Sequence, residues 1–173
     1  MFSKITSATY GIRTITQIDA LSPVQGDSVI LNHYDQYTML TYDGNTWTGA
    51  KLMKLNNQSG ATLNRGDVVI ISTTRINSCT TTLSTGDNKV VGAIAFGGVN
   101  GADVSIAISG IWDVLIRNGR YSIRESIKTT SLAGNAIAEA SFSSDGIFGW
   151  TLASGGDGPR LVKCNIKPKK EMY

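Results

Sequence analysis

A glycine followed by a short acid or amide, and then by a run of apolar β-formers, recurs along this chain. Gly26-Asp27 precedes Ser28-Val29-Ile30-Leu31, Gly66-Asp67 precedes Val68-Val69-Ile70-Ile71, and Gly134-Asn135 precedes Ala136-Ile137-Ala138. Glycine reaches backbone conformations that a side chain obstructs, and a carboxylate or amide just after it can bond its own backbone. Such a pair turns the chain into a strand. Six of the ten aspartates (Asp27, Asp43, Asp67, Asp87, Asp145 and Asp157) lie beside a glycine, so the pair is the chain's habitual corner. Arg65-Gly66-Asp67 also spells the tripeptide of integrin ligands, but the strand behind it makes a turn the stronger reading.

Corners this frequent imply short strands, and the composition agrees. Charged residues make up 17% of the 173 and hydrophobic residues 41%, with 19 glycines; globular domains usually carry about a quarter charged residues. Runs rich in β-branched and aromatic residues, bounded by Gly, Asn, Asp or Ser, lie at Val29–Leu31, Tyr37–Tyr42, Val68–Ser72, Lys89–Phe96, Val104–Ser109, Ile111–Ile116, Ile147–Leu152 and Leu161–Ile166. Evenly spaced short strands predict an all-β fold, a barrel or sandwich of antiparallel strands. One helical turn is expected where Thr16-Gln17-Ile18-Asp19 fits a capping box, ending at Ser22 before Pro23. Residues 131–142 are rich in Ala but broken by Gly134 and Asn135, and read as irregular or strand.

A boundary falls near residue 50. Residues 1–50 read as a small β-hairpin module in which Asp43-Gly44-Asn45 is the turn and Tyr42 and Trp47 pair across it. Residues 51–173 read as the larger β-barrel or sandwich domain. A hairpin of that size rarely folds alone, so the first unit should lean on the second or on symmetry mates.

Most functional classes find no support. A net charge of +3, partly from Lys163, Lys167, Lys169 and Lys170, is not the dense basic stripe of a nucleic-acid binder. No apolar run reaches the roughly 20 residues that span a bilayer, and Met1–Arg13 lacks the apolar core of a secretory signal, so synthesis in a cytosol is expected. Cys79 and Cys164 match no metal spacing and are expected as reduced thiols. His33 is the lone histidine, without a Gly-x-Ser-x-Gly elbow, and reads as a surface or hairpin residue. Carboxylates committed to turns are poor acid–base catalysts, and "FGGVNGAD" (96–103) joins two strands rather than a strand and a phosphate-cradling helix. No catalytic, cofactor-binding or metal site is assigned. Trp112 and Trp150 read as core. Trp47, expected to be exposed, and with it Tyr42 and Tyr37, are the candidate contact residues, for glycan among other ligands.

The order of features carries a resemblance. Asn57, Gly60, Leu63 and Gly66, then Val90-Val91-Gly92, Gly101 and Gly110, follow a recurring pattern: Asn-x-x-Gly-x-x-Leu-x-x-Gly, a strand, Val-Val-Gly, and a glycine loop into a strand ending in Gly. Over residues 53–166 the chain resembles the decoration (cement) proteins of tailed-bacteriophage capsids and the related head-fibre proteins. Asp145-Gly146 stands where that family closes with an Asp-Gly hairpin, and Asn135 where an Asp is commoner. Gly26, Asp27, Tyr42, Asp43, Gly44 and Trp47 are similar to a short β module of phage tail and head fibres. The resemblance implies a trimer on the capsid exterior, with the major capsid protein and itself as partners and neither nucleic acid nor membrane. The alternative it leaves is a tail-fibre component touching host glycan.

Overall fold

The structure, a computed structural model of the chain, describes residues 7–117, 120–140, 146–156 and 158–167. It is almost wholly β. Strands β1 (Thr9–Arg13), β2 (Ser28–His33), β3 (Gln36–Tyr42) and β4 (Trp47–Thr48) form a four-stranded sheet in that order. β1 runs parallel to β2, and the other neighbours are antiparallel. Among the described residues the single helix is α1 (Ile15–Asp19), whose cap lies two residues before the expected one. Thr14, not Thr16, accepts from the Gln17 amide, and the Gln17 side chain returns the bond to the Thr14 N–H. The second half of the box is therefore an amide rather than Asp19, because this register buries Ile15 and Ile18.

Beyond residue 50 the chain closes not one barrel but two. The first holds β5 (Leu52–Asn57), β6 (Val68–Ile71), β7 (Ser78–Thr80), β8 (Val90–Phe96) and β9 (Asp103–Ala107), in spatial order β5-β7-β6-β8-β9. The second holds β10 (Gly110–Ile116), β11 (Ser126–Thr129), β12 (Ala136–Glu139), β13 (Ile147–Thr151) and β14 (Arg160–Ile166), in order β10-β12-β11-β13-β14. The two orders are the same topology shifted by five strands. In each, the first and third strands pair in parallel and every other pair is antiparallel.

The match extends to single residues. The β6–β8 ladder shifts register between Val69 and Ile70, and the β11–β13 ladder between Ile127 and Lys128. Leu63 bridges to Gly98 as Tyr121 bridges to Gly155. Val69 faces Gly92 as Ile127 faces Gly149. At both glycines a neighbouring strand passes so close that a Cβ would lie 2.0 Å from the Ala107 carbonyl oxygen or 2.4 Å from that of Asn165. The interiors correspond as well: Leu55, Val69, Val91 and Val104 fill one barrel, and Val114, Ile127, Phe148 and Val162 the other, all buried. The chain is a structural tandem repeat with a sheet in front of it.

Each expected run falls on a strand, though Ser72, Lys89, Ile108, Ser109 and Leu152 lie just outside one, and residues 136–139 prove to be strand β12. The Gly-Asp corners form as anticipated. In Asn64–Asp67 the Asp67 N–H donates to the Asn64 carbonyl at 3.1 Å and Gly66 sits at φ +90°, a type II turn. Val24–Asp27 and Leu132–Asn135 repeat it, with closing bonds of 3.0 and 3.1 Å. The Gly66 corner also joins the barrels, since Leu115 N–H donates to Gly66 O at 2.8 Å and Val68 N–H to Gly134 O at 2.8 Å. Thr129 adds a second joint: its hydroxyl donates to Ser84 O at 2.8 Å and accepts from the Asp87 N–H at 2.7 Å.

Candidate functional site

The most concentrated chemistry lies where the N-terminal sheet meets both barrels. β2 and β3 are joined by the two-residue turn Tyr34-Asp35, with φ values of +52° and +60°. A bulky residue in the left-handed region costs on the order of 1 kcal/mol or more. Tyr34 is held there from outside the hairpin. Its hydroxyl donates to Asp113 Oδ1 on β10 at 2.6 Å, and Lys163 Nζ on β14 lies 4.5 Å from its ring centroid.

Asp113 is the centre of the cluster. It is 9% exposed, and a charge buried to that extent needs partners. Its Oδ2 faces His33 Nε2 at 3.7 Å and Arg65 Nε at 3.6 Å, each beyond hydrogen-bond length. Both nitrogens are buried without a hydrogen-bond acceptor among the described residues. Arg65 reaches Asp19 of α1 with Nη1 at 3.7 Å. The His33 ring packs against Tyr34 and Trp112, with centroids 4.4 and 5.2 Å apart. Beside it, Gln36 Oε1 accepts from Lys51 Nζ at 3.0 Å and from the Ile111 N–H at 3.3 Å. The hairpin tip is thus clamped to the first strand of the second barrel by three residues, His33, Tyr34 and Gln36.

The environment sets the acidities. Burial lowers the His33 pKa, Arg65 and Lys163 lower it further, and Asp113 opposes them. Burial, and next the bond to Asp113, raises that of Tyr34. Burial raises Asp19 against the pull of Arg65. A neutral imidazole between two cations and one carboxylate is therefore the resting state near neutral pH. The arrangement is a clamp: its polar atoms are directed at one another and hold three parts of the chain together.

A second, more exposed clamp holds the other end of the sheet. Asp43 Oδ1 accepts from the Asn45 and Thr46 N–H groups, each at 3.0 Å, which makes the expected turn. Its Oδ2 meets Lys54 Nζ on β5 at 2.6 Å, and the same ammonium lies 3.5 Å from Asp103. Burial would raise Asp43, but Lys54 and the two amides together lower it.

The expected contact residues separate. Tyr42 and Trp47 do pair edge-to-face, 5.4 Å apart. Trp47, however, is 4% exposed, which corrects the expectation of an exposed ring. β4 is only two residues long and lies on the first barrel, where Ser105 Oγ bonds the Trp47 carbonyl and the ring joins the core. Tyr42 is half-buried and borders two shallow polar hollows of about 360 and 230 Å³, beside Asn45 and Asp103 in one and Trp47 and Phe96 in the other. Tyr37 is exposed on the opposite face of β3. Trp112 is core as expected, while Trp150 is only half-buried, with Lys167 5.9 Å from its ring centroid. His33 is the expected hairpin residue but not a surface one, its side chain being 11% exposed.

Of the expected turn residues, Gly26, Asp27, Asp43, Gly44, Gly66 and Asp67 lie at corners. Asp27 is buried and accepts from Ala8 N–H at 2.6 Å, Val24 N–H at 2.9 Å and Tyr10 Oη at 2.9 Å, so the backbone bonds to Ala8 and Val24 lower its pKa. Asp67 makes the same turn with one such bond, to Asn64 N–H at 2.7 Å, and burial raises it. Gly92 is a close-approach glycine within β8, not a turn. Gly146 begins the β13 approach at φ +71°, and Asp145 lies outside the described residues. Cys79 and Cys164 are buried free thiols, pushed up by burial to about 11 and about 12. Among the described residues, no group of three or more His, Cys, Asp or Glu gathers to hold a metal. Tyr34, Arg65 and Asp113 went unrecognised in the sequence. The one signal was the two-residue gap between alternating runs at Tyr34-Asp35.

No protein-family model matches the chain, and no curated protein matches it. Among solved structures, it is similar to the N base of the head fibre gp8.5 of bacteriophage phi29, at 15% identity and a TM-score of 0.47. The likeness covers 70% of this chain and 98% of that one.

Proposed function

We propose that this chain is a structural protein of a tailed-phage virion, seated as an oligomer on the outer surface of the capsid, which it stabilises. The observation that carries the reading is where the residues of the family resemblance fall. Asn57 is fully buried, donating to Ala61 O and Gly98 O at 2.8 and 3.0 Å and accepting from Ser59 N–H at 2.9 Å. Leu63 bridges to Gly98, Gly66 makes the type II corner, and Gly92 admits the Ala107 carbonyl. That Asn57, Leu63, Gly66 and Gly92 of the pattern all shape the first barrel suits a protein whose work is to be rigid.

The physics of that work is mass action. A subunit that binds the expanded shell and not its precursor stabilises the shell by an amount set by its affinity and concentration. A contact of standard size buries about 1,600 Å² in total. An oligomer on a local symmetry axis would hold several capsid subunits at once, gaining from multivalency against the pressure of packed DNA. The chain is rich in Thr, Ser and Asn, side chains that suit a wet, polar contact of that kind.

The test is direct. Shells assembled without the chain should disrupt at lower temperature or force, and adding the purified protein should restore them; equal robustness would reject the stabilising role. Labelling on purified particles should mark the head at a stoichiometry that fits its lattice. Label confined to the tail would replace this reading by the tail-fibre one.

A further inference from the structure

We propose that the His33–Asp113 contact is a pH-sensitive latch, which holds the β2–β3 hairpin tip on the second barrel while His33 is neutral and releases it when His33 takes up a proton. The latch belongs to the chain's own fold, whatever particle carries it.

Geometry makes the case. The imidazole sits at the end of β2, with Nε2 buried and 3.7 Å from the Asp113 carboxylate. At that distance it gains little hydrogen-bond energy from Asp113, whose other oxygen is committed to the Tyr34 hydroxyl at 2.6 Å. A proton on His33 would face Arg65 from the corner before β6 and Lys163 from β14, as well as Asp113 from β10. Within its own hairpin it faces Tyr34, whose hydroxyl is kept protonated, and Asp35 beyond. Of the nearby carboxylates, Asp19 of α1 is already turned to Arg65. Protonation therefore adds a third cation to a site that balances two, inside a region too dry to screen it.

The consequence is local. His33 and Tyr34 hold the tip by side chains, and Gln36 holds it through Ile111 and Lys51. The barrels close on their own ladders and do not use His33. In its open form the hairpin exposes an ordinary histidine, which binds a proton near pH 6.5. The opening equilibrium should thus rise as pH falls below about 6.5, by up to about tenfold per pH unit, until the clamped His33 itself titrates.

The chain has a single histidine, so the measurement is unambiguous. The imidazole resonances of the intact protein should titrate with a midpoint below that of a free histidine. Amide hydrogen exchange of residues 33–37, corrected for its intrinsic pH dependence, should accelerate as pH falls from 6.5, while β8 and β13 amides do not. His33→Phe keeps the ring contacts with Tyr34 and Trp112 and should remove the pH dependence. Should that variant fold poorly, Lys163→Met serves instead, since losing one opposing cation should raise the midpoint. A midpoint at or above the free value, or hairpin opening equally pH-dependent in His33→Phe, overturns the latch.

Discussion

Lys54 and Asp113 occupy the same position in two barrels of the same topology. Lys54 lies opposite Ser105 on β9, and Asp113 opposite Lys163 on β14, each two residues into its strand from the equivalent pairs Leu52–Ala107 and Ile111–Asn165. Both grip the N-terminal sheet, one at its β3–β4 turn and the other at its β2–β3 turn. They carry opposite charges and sit in different surroundings, with side-chain exposures of 40% and 10%. The difference teaches what the repeat conserves and what it leaves free. Strand order, bulge position and close-approach glycines are held in both copies because barrel closure needs them. The outward position is free to change chemistry, and it has become a solvated tether in one copy and a buried clamp in the other.

The sharpest way to break the comparison is at the glycines that both barrels share. Gly92→Ala places a methyl 2.0 Å from Ala107 O, and Gly149→Ala places one 2.4 Å from Asn165 O. In both cases the obstacle is backbone, which cannot rotate aside. Each substitution should cost about 3–5 kcal/mol in denaturant unfolding, the overpacking and strain range at its upper end, with Gly92 the worse. Gly156→Ala, with nothing among the described residues within 4 Å of its Cβ, is the control and should change little. If Gly92→Ala stayed within about 0.5 kcal/mol of the parent, the tight strand approach described for the first barrel would be wrong.

The clamps come next. Asp113→Ala leaves the buried Arg65 Nε and the Tyr34 hydroxyl without a carboxylate, and should cost about 3 kcal/mol. The loss should appear as detachment of the hairpin, so exchange at residues 33–37 should rise more than in either barrel. Lys54→Ala removes an exposed tether and should cost less than about 1 kcal/mol, shrinking further in high salt. Comparable losses at the two positions would mean that burial does not distinguish them. Acid provides a related contrast between two corners. Asp27, lowered in the folded chain, contributes stability above its ordinary pKa that disappears as pH falls through the folded value; Asp67, raised, does the reverse.

How much of this could be read from the residues follows from what each feature depends on. Corners and long apolar strands are local: Gly66-Asp67 with Val68–Ile71, and Val90–Phe96, declare themselves because turn chemistry and β-branching sit next to each other. Strands such as Ser78–Thr80 and Ser126–Thr129 carry too few apolar residues to announce themselves; they are strands only because a ladder waits on each side. The tandem repeat was hidden for a related reason. Its halves agree in hydrogen bonding while differing in residues, as with Asn57 and Ile116, which face Cys79 and Ala136 through the same parallel pairing. The clamp needs residues 33, 65 and 113 brought together from three units, which no local pattern encodes. Trp47 misled because a ring beside a turn reads as exposed, and only the barrel beneath it makes it core.

The finest test of the repeat concerns a corner at which the two barrels differ. Gly66 N–H donates to Ile94 O in the first barrel, and Arg124 N–H donates to Thr151 O in the second. Asp67 O and Glu125 O then accept from the same Ile94 and Thr151 N–H groups. The two corners are equivalent, yet Arg124 adopts φ +70° with a side chain where Gly66 adopts +90° without one. Left-handed backbone costs a non-glycine residue on the order of 1 kcal/mol or more, and replacing it by glycine gives back part of that through the looser unfolded chain. Arg124→Gly should therefore stabilise the protein by about 0.5 kcal/mol. Gly66→Ala should destabilise it, because its Cβ would also lie 2.2 Å from Leu161 and 3.2 Å from Leu115 N. Opposite signs at the two corners, measured by denaturant midpoints under one set of conditions, are what structural equivalence requires. A loss at both would mean that the Arg124 side chain does work in the second barrel that outweighs its strained backbone.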